Sequence, residues 1–390
     1  MRAEQLILHA QRVIFPQGPA RPGWVQVRGS QIVDAGPGGV PDHDGSAEVR
    51  RLGENILAPG LVDMHVHGGG GAAFTEGGEA AQAVLAAHRA RGTTSMVASL
   101  VTDTINNLER QIWQLVPLCQ AGELAGIHLE GPWLSPRRCG AHDPDLLIDP
   151  NLADLNRLLD AGDGHIRMVT LAPERPGASE AIKVLHSRGV VAAVGHTDAS
   201  DEQTEAAIHA GATVGTHLFN ALPSVHHRKP GPIPQLLSDP TVVVELIADG
   251  VHVHPSVLRM AVAAAQGRFA LITDAMSAAG KPDGSYRLGP LDVDVVDGVA
   301  RIRDTGAIAG STLTLDQAVQ YAIQTVGVGL EVAVRAASSI PAQVLGLAGV
   351  GRIQAGARAD LVVFDAQLNV QEVLRGGVRC GPEWDDRGYV

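Results

Sequence analysis

Six ionisable residues recur in one kind of setting along this chain. They are His65 and His67 in DMHVHG, Glu130 in GIHLEGP, His196 in VVAAVGHTD, His217 in GATVGTHLFN and Asp274 in FALITDAM. Each stands at or just beyond the end of a short apolar run. Imidazole nitrogens and carboxylate oxygens are ligands for Zn²⁺ or Fe²⁺. Alternate side chains of an extended strand share a face, so Asp63, His65 and His67 point one way and Val62, Met64 and Val66 the other. A His-x-His pair alone is ordinary strand chemistry; ionisable residues at the same position of five runs are not. Burying this many polar groups without a shared partner is costly, and a divalent cation is the economical partner. Asp274 fits either a further ligand or a proton carrier beside water. His128 is read as turned toward the helices, and His9, His43, His88, His165, His186 and His209 as surface residues without a recurring context.

The runs that must position these groups are Leu61–Val66, Ser95–Leu100, Gly126–Glu130, Arg167–Leu171, Val190–Gly195, Thr213–His217, Val242–Ile247 and Phe269–Thr273. Helical stretches fall between most of them, for example 79–91, 108–119, 178–188, 201–210 and 255–265. Continuously apolar strands alternating with helices imply a parallel sheet covered on both faces. Eight repeats predict an α/β fold of the closed (β/α)₈ TIM type, whose C-terminal strand ends form one mouth where active sites sit. An open dinucleotide-binding sheet loses support because no Gly-x-Gly-x-x-Gly follows the first run.

The catalytic barrel is expected over 58–351, with a β-hairpin insertion at 284–303 and helices near 312–325 and 331–345. Short β-rich stretches at 4–14, 23–36 and 46–57 return after 351. They predict a small, discontinuous β-sandwich module from 1–57 and 352–390.

Composition excludes several alternatives. Thirty Lys+Arg against 42 Asp+Glu give a net charge of −12, which disfavours a general nucleic-acid binder. With 45% hydrophobic and 18% charged residues the chain can build a large core. No run reaches the length of a membrane helix, and the first twenty residues carry Glu4, Gln5 and Arg12 where a signal peptide is apolar. Cys119, Cys139 and Cys380 are too dispersed for a disulfide framework or a zinc knuckle. A reducing cytoplasm is the expected location, with no membrane and no nucleic acid as partners.

Longer motifs carry a resemblance. HLEGPWLSPRRCGAH (128–142), VGHTDA (194–199), THLFNAL (216–222), HHRKPGP (226–232), ADGVHVH (248–254) and TDAMSAAG (273–280) resemble the N-acetylglucosamine-6-phosphate deacetylases of the amidohydrolase superfamily. The likeness runs from about Pro59 to GRIQAGARADLVVFD. It implies hydrolysis of the acetamide of N-acetylglucosamine 6-phosphate to glucosamine 6-phosphate and acetate, in amino-sugar and cell-wall sugar recycling.

The resemblance also implies roles. A tighter metal is held by Glu130, His196 and His217, and a second by His65 and His67 with Glu130 shared. One or two divalent ions per subunit follow, Zn²⁺ first and Fe²⁺ next. Asp274 acts as general base on the attacking water and then as acid toward the amine, and His142 polarises the acetamide carbonyl. Ala141, His142, Asn220, Ala221 and His252 contact the amino-sugar phosphate. Arg228, with His227 beside it, reaches the phosphate from a neighbouring subunit, which makes the protein a homodimer. N-acetylgalactosamine 6-phosphate offers the same acetamide and phosphate and remains an alternative substrate.

Two rivals have identifiable weaknesses. Dihydroorotase- and hydantoinase-like enzymes bridge two metals with a carboxylated lysine on the fourth strand, but HIRMVTLAPE contains none; the lysines are Lys183, Lys229 and Lys281. The His-Ala-Gly-Glu signature of adenosine-deaminase-like enzymes is likewise replaced by GHTDA. A catalytically dead barrel serving as a binding protein would be expected to have lost ligands or Asp274, and all six residues are present. Cys139 in the RRCGAH loop is read as incidental, and Trp133 as packed under that loop or in the core.

Overall fold

The computed structural model describes residues 5–380 except Asp44 and Ser46. Of the expected terminal module, residues 1–4, 44, 46 and 381–390 therefore lie outside the described residues. Eight parallel strands form one sheet in chain order: Leu61–Asp63, Thr93–Val101, Gly126–Glu130, Ile166–Leu171, Val191–Val194, Ala212–Gly215, Val243–Ile247 and Phe269–Ile272. First and eighth strands meet through a parallel bridge between Val66 and Ala275, where His67 N–H donates to the Ala275 carbonyl at 2.8 Å. The sheet thus curves into a nearly closed barrel. Every residue of Thr93–Val101 is buried, as expected for a strand covered on both faces.

Helices follow each strand: Gly78–Arg89, Ile105–Gln120, Leu152–Ala161, Ala178–Ser187, Asp201–Ala210, Pro232–Ser238, Pro255–Ala265 and Leu315–Tyr321. Their ends are written locally. Ser200 and Gln203 form a capping box at the start of Asp201–Ala210, and Gly211, at φ 118°, ends it in a left-handed turn. Val214 and Gly215 of the sixth strand then pair in parallel with Val243 and Val244 of the seventh. No helix among the described residues is long and apolar enough to cross a membrane.

The segment expected to be one hairpin is a three-stranded antiparallel sheet, Gly284–Leu288, Leu291–Val296 and Val299–Ile302. The turn at Asp297–Gly298, with both residues at positive φ, folds the third strand back. Alternate residues Val293, Val295, Ala300 and Ile302 form its own small core with Met276. The long helix expected near 331–345 is instead two, Leu330–Ala336 and Ser339–Val344. Pro341 has no N–H to return to the preceding turn, which interrupts the run.

Gln5–Val13, Arg21–Arg28, Gln31–Pro37, Ala47–Arg51 and Ile56–Pro59 join Leu361–Phe364, Val370–Arg375 and Val378–Arg379 in a second eight-stranded sheet. Leu8, Val25, Ile32, Leu57, Leu361 and Leu374 bury its own core, separate from that of the barrel. Ile56–Pro59 runs directly into the first barrel strand, so this sheet anchors the segment that carries His65 and His67.

Candidate active site

The last residues of five barrel strands, or those just after them, converge at one end of the barrel. Three of them leave their strands through a left-handed backbone turn: His196 at φ 46°, His217 at φ 25° and Asp274 at φ 50°. A non-glycine residue in that region costs about 1–2 kcal/mol, and such strain gathers where side-chain direction matters. Gly140, at φ 57°, lets the 139–142 loop reach the ring of His196; a Cβ there would lie 3.0 Å from its Cε1.

Glu130 is the hub. Its Oε1 lies 3.0 Å from His217 Nε2, 3.2 Å from His196 Nε2 and 3.4 Å from His65 Nε2. Its Oε2 lies 3.1 Å from His67 Nε2 and 3.5 Å from His142 Nε2. His65 and His67 bring their Nε2 atoms within 3.1 Å of each other, and His196 and His217 theirs within 3.0 Å. Asp274 Oδ1 is 3.4 Å from His65 Nε2 and 3.2 Å from His67 Nε2. All seven of these side chains are buried.

The outer nitrogens show what this convergence could hold. His67 Nδ1 faces the Ser99 carbonyl at 3.2 Å and His196 Nδ1 the Arg138 carbonyl at 2.8 Å. A carbonyl only accepts, so each Nδ1 carries the proton and each Nε2 presents a lone pair inward. His65 Nδ1 meets Glu245 Oε2 at 3.0 Å, and that oxygen already accepts the His217 backbone N–H at 3.1 Å. His65 therefore has the same tautomer. Lone pairs 3.0–3.4 Å apart repel one another and repel the Glu130 carboxylate unless a cation lies among them. Ligands about 2.0–2.1 Å from a tetrahedral Zn²⁺ are spaced by about 3.3 Å, so the donor set fits a metal ion.

His65, His67, Glu130 and Asp274 form one group with metal-holding spacing, and Glu130, His142 and His196 another. His142 differs in tautomer from the others. Its Nδ1 accepts the Thr102 backbone N–H at 3.3 Å, so its proton sits on Nε2 and points toward Glu130. That makes His142 a hydrogen-bond donor into the site, and His217, with Nε2 on the same Glu130 oxygen as His196, the better third ligand. His217 Nδ1 has no hydrogen-bond partner among the described residues.

The electrostatics agree. Burial alone would raise the Glu130 carboxyl, but the imidazoles gathered around it, His65 first and then His142, His196 and His217, hold it well below the usual range, with a proton among them standing where a metal cation would. Burial is likewise outweighed at Asp274, where His65 and His67 keep the carboxyl ionised. Burial lowers His67, yet hydrogen bonds to Asp274 and Glu130 push it up to about 9, whereas burial and His142 take His196 down to about 4. Protons and a metal ion would compete for His67.

A cavity of about 280 Å³ opens over these groups. It is lined by His67, Glu130, His142, His196, His217 and Asp274, by the expected contacts Ala141, Asn220, Ala221 and His252, and by Leu288, Ala307, Ile308 and Gly310 around the inserted sheet. His252 Nδ1 pairs with Asp249 Oδ2 at 2.6 Å, and Asn220 Nδ2 donates to the His217 carbonyl at 3.1 Å. His227 and Arg228 do not line it. They lie on an exposed loop, with Arg228 Nη1 2.6 Å from His227 Nε2.

Two histidines stand elsewhere than the sequence reading put them. His128 is fully buried inside the barrel, between Ser99 Oγ and Thr170 Oγ1, both at 2.9 Å, with its ring 4.6 Å from that of His65. It is two residues before Glu130 and so shares its face. Burial and the neighbouring His65 hold it well below the ordinary imidazole range, hence neutral. His88 is buried rather than at the surface, its Nε2 2.9 Å from the Gly68 carbonyl just beyond the His pair. Trp133 is core. Sequence reading missed Glu245 and Asp63 as supports. Asp63 accepts from Thr273 Oγ1 at 2.6 Å, tying the first strand to the eighth. A lone carboxylate in VVVELIA is the one signal that could have pointed to Glu245.

A model of the amidohydrolase family matches residues 56–380. An N-acetylgalactosamine-6-phosphate deacetylase of Escherichia coli O157:H7 is 39% identical over 82% of this chain and 86% of its own length. The N-acetylglucosamine-6-phosphate deacetylase of Homo sapiens is 36% identical over 90% of each chain. Among solved structures, an aspartate-to-alanine mutant of N-acetyl-D-glucosamine-6-phosphate deacetylase from Mycobacterium smegmatis, in complex with N-acetyl-D-glucosamine-6-phosphate, superposes with a TM-score of 0.94. It is 48% identical, covering 97% of this chain and 100% of that one.

Proposed function

The chain belongs to the amidohydrolase family, and we propose that it is a metal-dependent deacetylase converting N-acetyl-D-glucosamine 6-phosphate to D-glucosamine 6-phosphate and acetate. One observation carries this reading: inward-facing imidazole lone pairs ring a single carboxylate, while one further imidazole, His142, presents a proton to the same cavity. Glu130, His196 and His217 would hold one divalent ion, and His65 and His67, sharing Glu130, a second. Zn²⁺ fits this nitrogen-rich set best, and Fe²⁺ is the next choice. Such an ion supplies Lewis-acid charge toward the acetamide oxygen and brings the pKa of water toward about 7.

This chain's own residues do the rest. Asp274, ionised and at the cavity wall, takes a proton from the attacking water and returns it to the nitrogen, which leaves only once protonated. His142 Nε2–H donates to the carbonyl oxygen as it becomes anionic. Ala141, Asn220, Ala221 and His252 contact the sugar. Arg228, with His227 beside it, binds phosphate of the neighbouring subunit's substrate in a homodimer, since it lies away from its own cavity.

Identity to the galactosamine enzyme favours a second reading, in which the 4-epimer is the substrate. Acetate release from both 6-phosphates and from unphosphorylated N-acetylglucosamine, by metal-replete protein, separates the two. Release from neither phosphate would refute the deacetylase reading.

A further inference from the structure

The seventh barrel strand contributes none of the candidate ligands, yet it carries a carboxylate into the barrel interior. Glu245 is fully buried, in the run Val243–Ile247, and every other residue of that strand is apolar. A single oxygen, Oε2, receives both the ring Nδ1 of His65 at 3.0 Å and the backbone N–H of His217 at 3.1 Å. Its backbone carbonyl also receives the N–H of Leu218, at 2.9 Å. Both ends of Glu245 thus grip the segment bearing His217, and the carboxylate spans from there to His65 just beyond the first strand.

We infer that Glu245 is the positioning residue that joins the two halves of the metal centre, fixing His65 through its ring and His217 through its backbone. The inference rests on the metal-dependent reading above. Three consequences follow from the geometry. With Nδ1 protonated, the His65 lone pair is committed to Nε2, toward Glu130 Oε1 and Asp274 Oδ1. The negative charge behind the ring makes that nitrogen a better donor to a cation, as carboxylates behind metal-bound imidazoles do. Finally, the left-handed turn of His217, at φ 25°, is pinned at its N–H, so its ring keeps its direction toward the same Glu130 oxygen as His196. His67 and His196 lean on backbone carbonyls instead, so among the described residues Glu245 is the charged support common to both positions.

Glu245→Gln keeps the side chain's size and one acceptor oxygen but loses the charge; Glu245→Leu loses both. Chelator-stripped protein is titrated with Co²⁺, following visible absorption and competition with a chromophoric chelator, and the melting temperature of each metal-free variant is recorded. The expected wild-type result is two equivalents. Glu245→Gln should weaken the equivalent held by His65 and His67 by about 10- to 100-fold and change its absorption. Its metal-free melting temperature should stay at the wild-type value. Glu245→Leu should lose that equivalent altogether.

Unchanged affinities and spectra in Glu245→Gln would overturn the inference, as would a fall in metal-free stability with affinities intact, because that marks simple structural support. Should Glu245→Leu not fold, Glu245→Gln decides. Wild-type protein that binds no Co²⁺ refutes the metal-dependent reading itself, a different outcome from either.

Discussion

Asp274→Asn replaces one oxygen by a group of nearly the same size, so its consequences can be worked atom by atom. The backbone at 274 has φ 50°, a region asparagine enters as readily as aspartate. Its N–H donates to the His65 carbonyl at 2.9 Å and its carbonyl accepts from Ser311 N–H at 2.7 Å, neither through the side chain. The closure between first and eighth strands therefore survives. What changes is Oδ1, 3.4 Å from His65 Nε2 and 3.2 Å from His67 Nε2, where an amide can neither take nor return a proton at neutral pH. A positioned acid–base group is worth roughly 10²- to 10⁴-fold, which is about 2.7–5.5 kcal/mol of barrier. Because the same carboxylate handles both transfers, kcat for acetate release should fall by about 10³- to 10⁴-fold. KM and metal content should stay near wild type. Turnover is assayed on metal-replete protein, with elemental analysis of the same sample. A kcat within about ten-fold of wild type would refute the proton-carrier role. Loss of metal together with activity, restored by excess metal, would make Asp274 a ligand instead.

Other outcomes test the remaining parts. Arg228→Ala should raise KM for the 6-phosphate about ten- to hundred-fold, the worth of a charge-assisted hydrogen bond of roughly 1.5–3 kcal/mol, and leave the unphosphorylated sugar untouched; equal effects on both would separate Arg228 from phosphate. His196→Ala or His217→Ala should empty the tighter metal position, and full occupancy by elemental analysis would undo that ligand assignment. Chelator-stripped protein should melt at lower temperature above pH 7. His67, opposed by burial but pushed up to about 9 by Asp274 and Glu130, contributes stability below the unfolded imidazole value near 6.5 and loses it as pH rises through 9. His196, taken by burial to about 4, has the opposite sign and loses stability as pH falls below about 6.5. A metal-free melting temperature that rises steadily from pH 6.5 to 9 would contradict this assignment.

Most of the barrel was legible because its strands are short, continuously apolar and separated by capped helices. Glu130, His196, His217 and Asp274 were legible because each breaks an apolar run at its C-terminal end. Other features were not. Pro341 divides a helix whose apolar spacing reads as continuous, and a positive-φ turn at Asp297–Gly298 adds a strand to the insertion. His128 and His88 were misread because a lone histidine carries no periodic signal. One is held by Ser99 and Thr170, the other by the Gly68 carbonyl, partners 29, 42 and 20 residues away.

By itself, then, the sequence determined the strand order, the end of the barrel at which chemistry occurs and the residue types available there. It could do so because strand period, helix caps and turn residues act over a few neighbours. Only the tertiary structure decided which ring nitrogen of His65, His67, His142 and His196 carries the proton. That choice is made by Ser99, Arg138, Thr102 and Glu245, which come from other strands and loops and meet the rings only after the barrel closes. The same closure separates His142, a proton donor, from the histidines around it, whose composition and spacing are otherwise alike. A tautomer is set by what lies within about 3 Å of a nitrogen, and along the chain those neighbours are 32 to 180 residues apart.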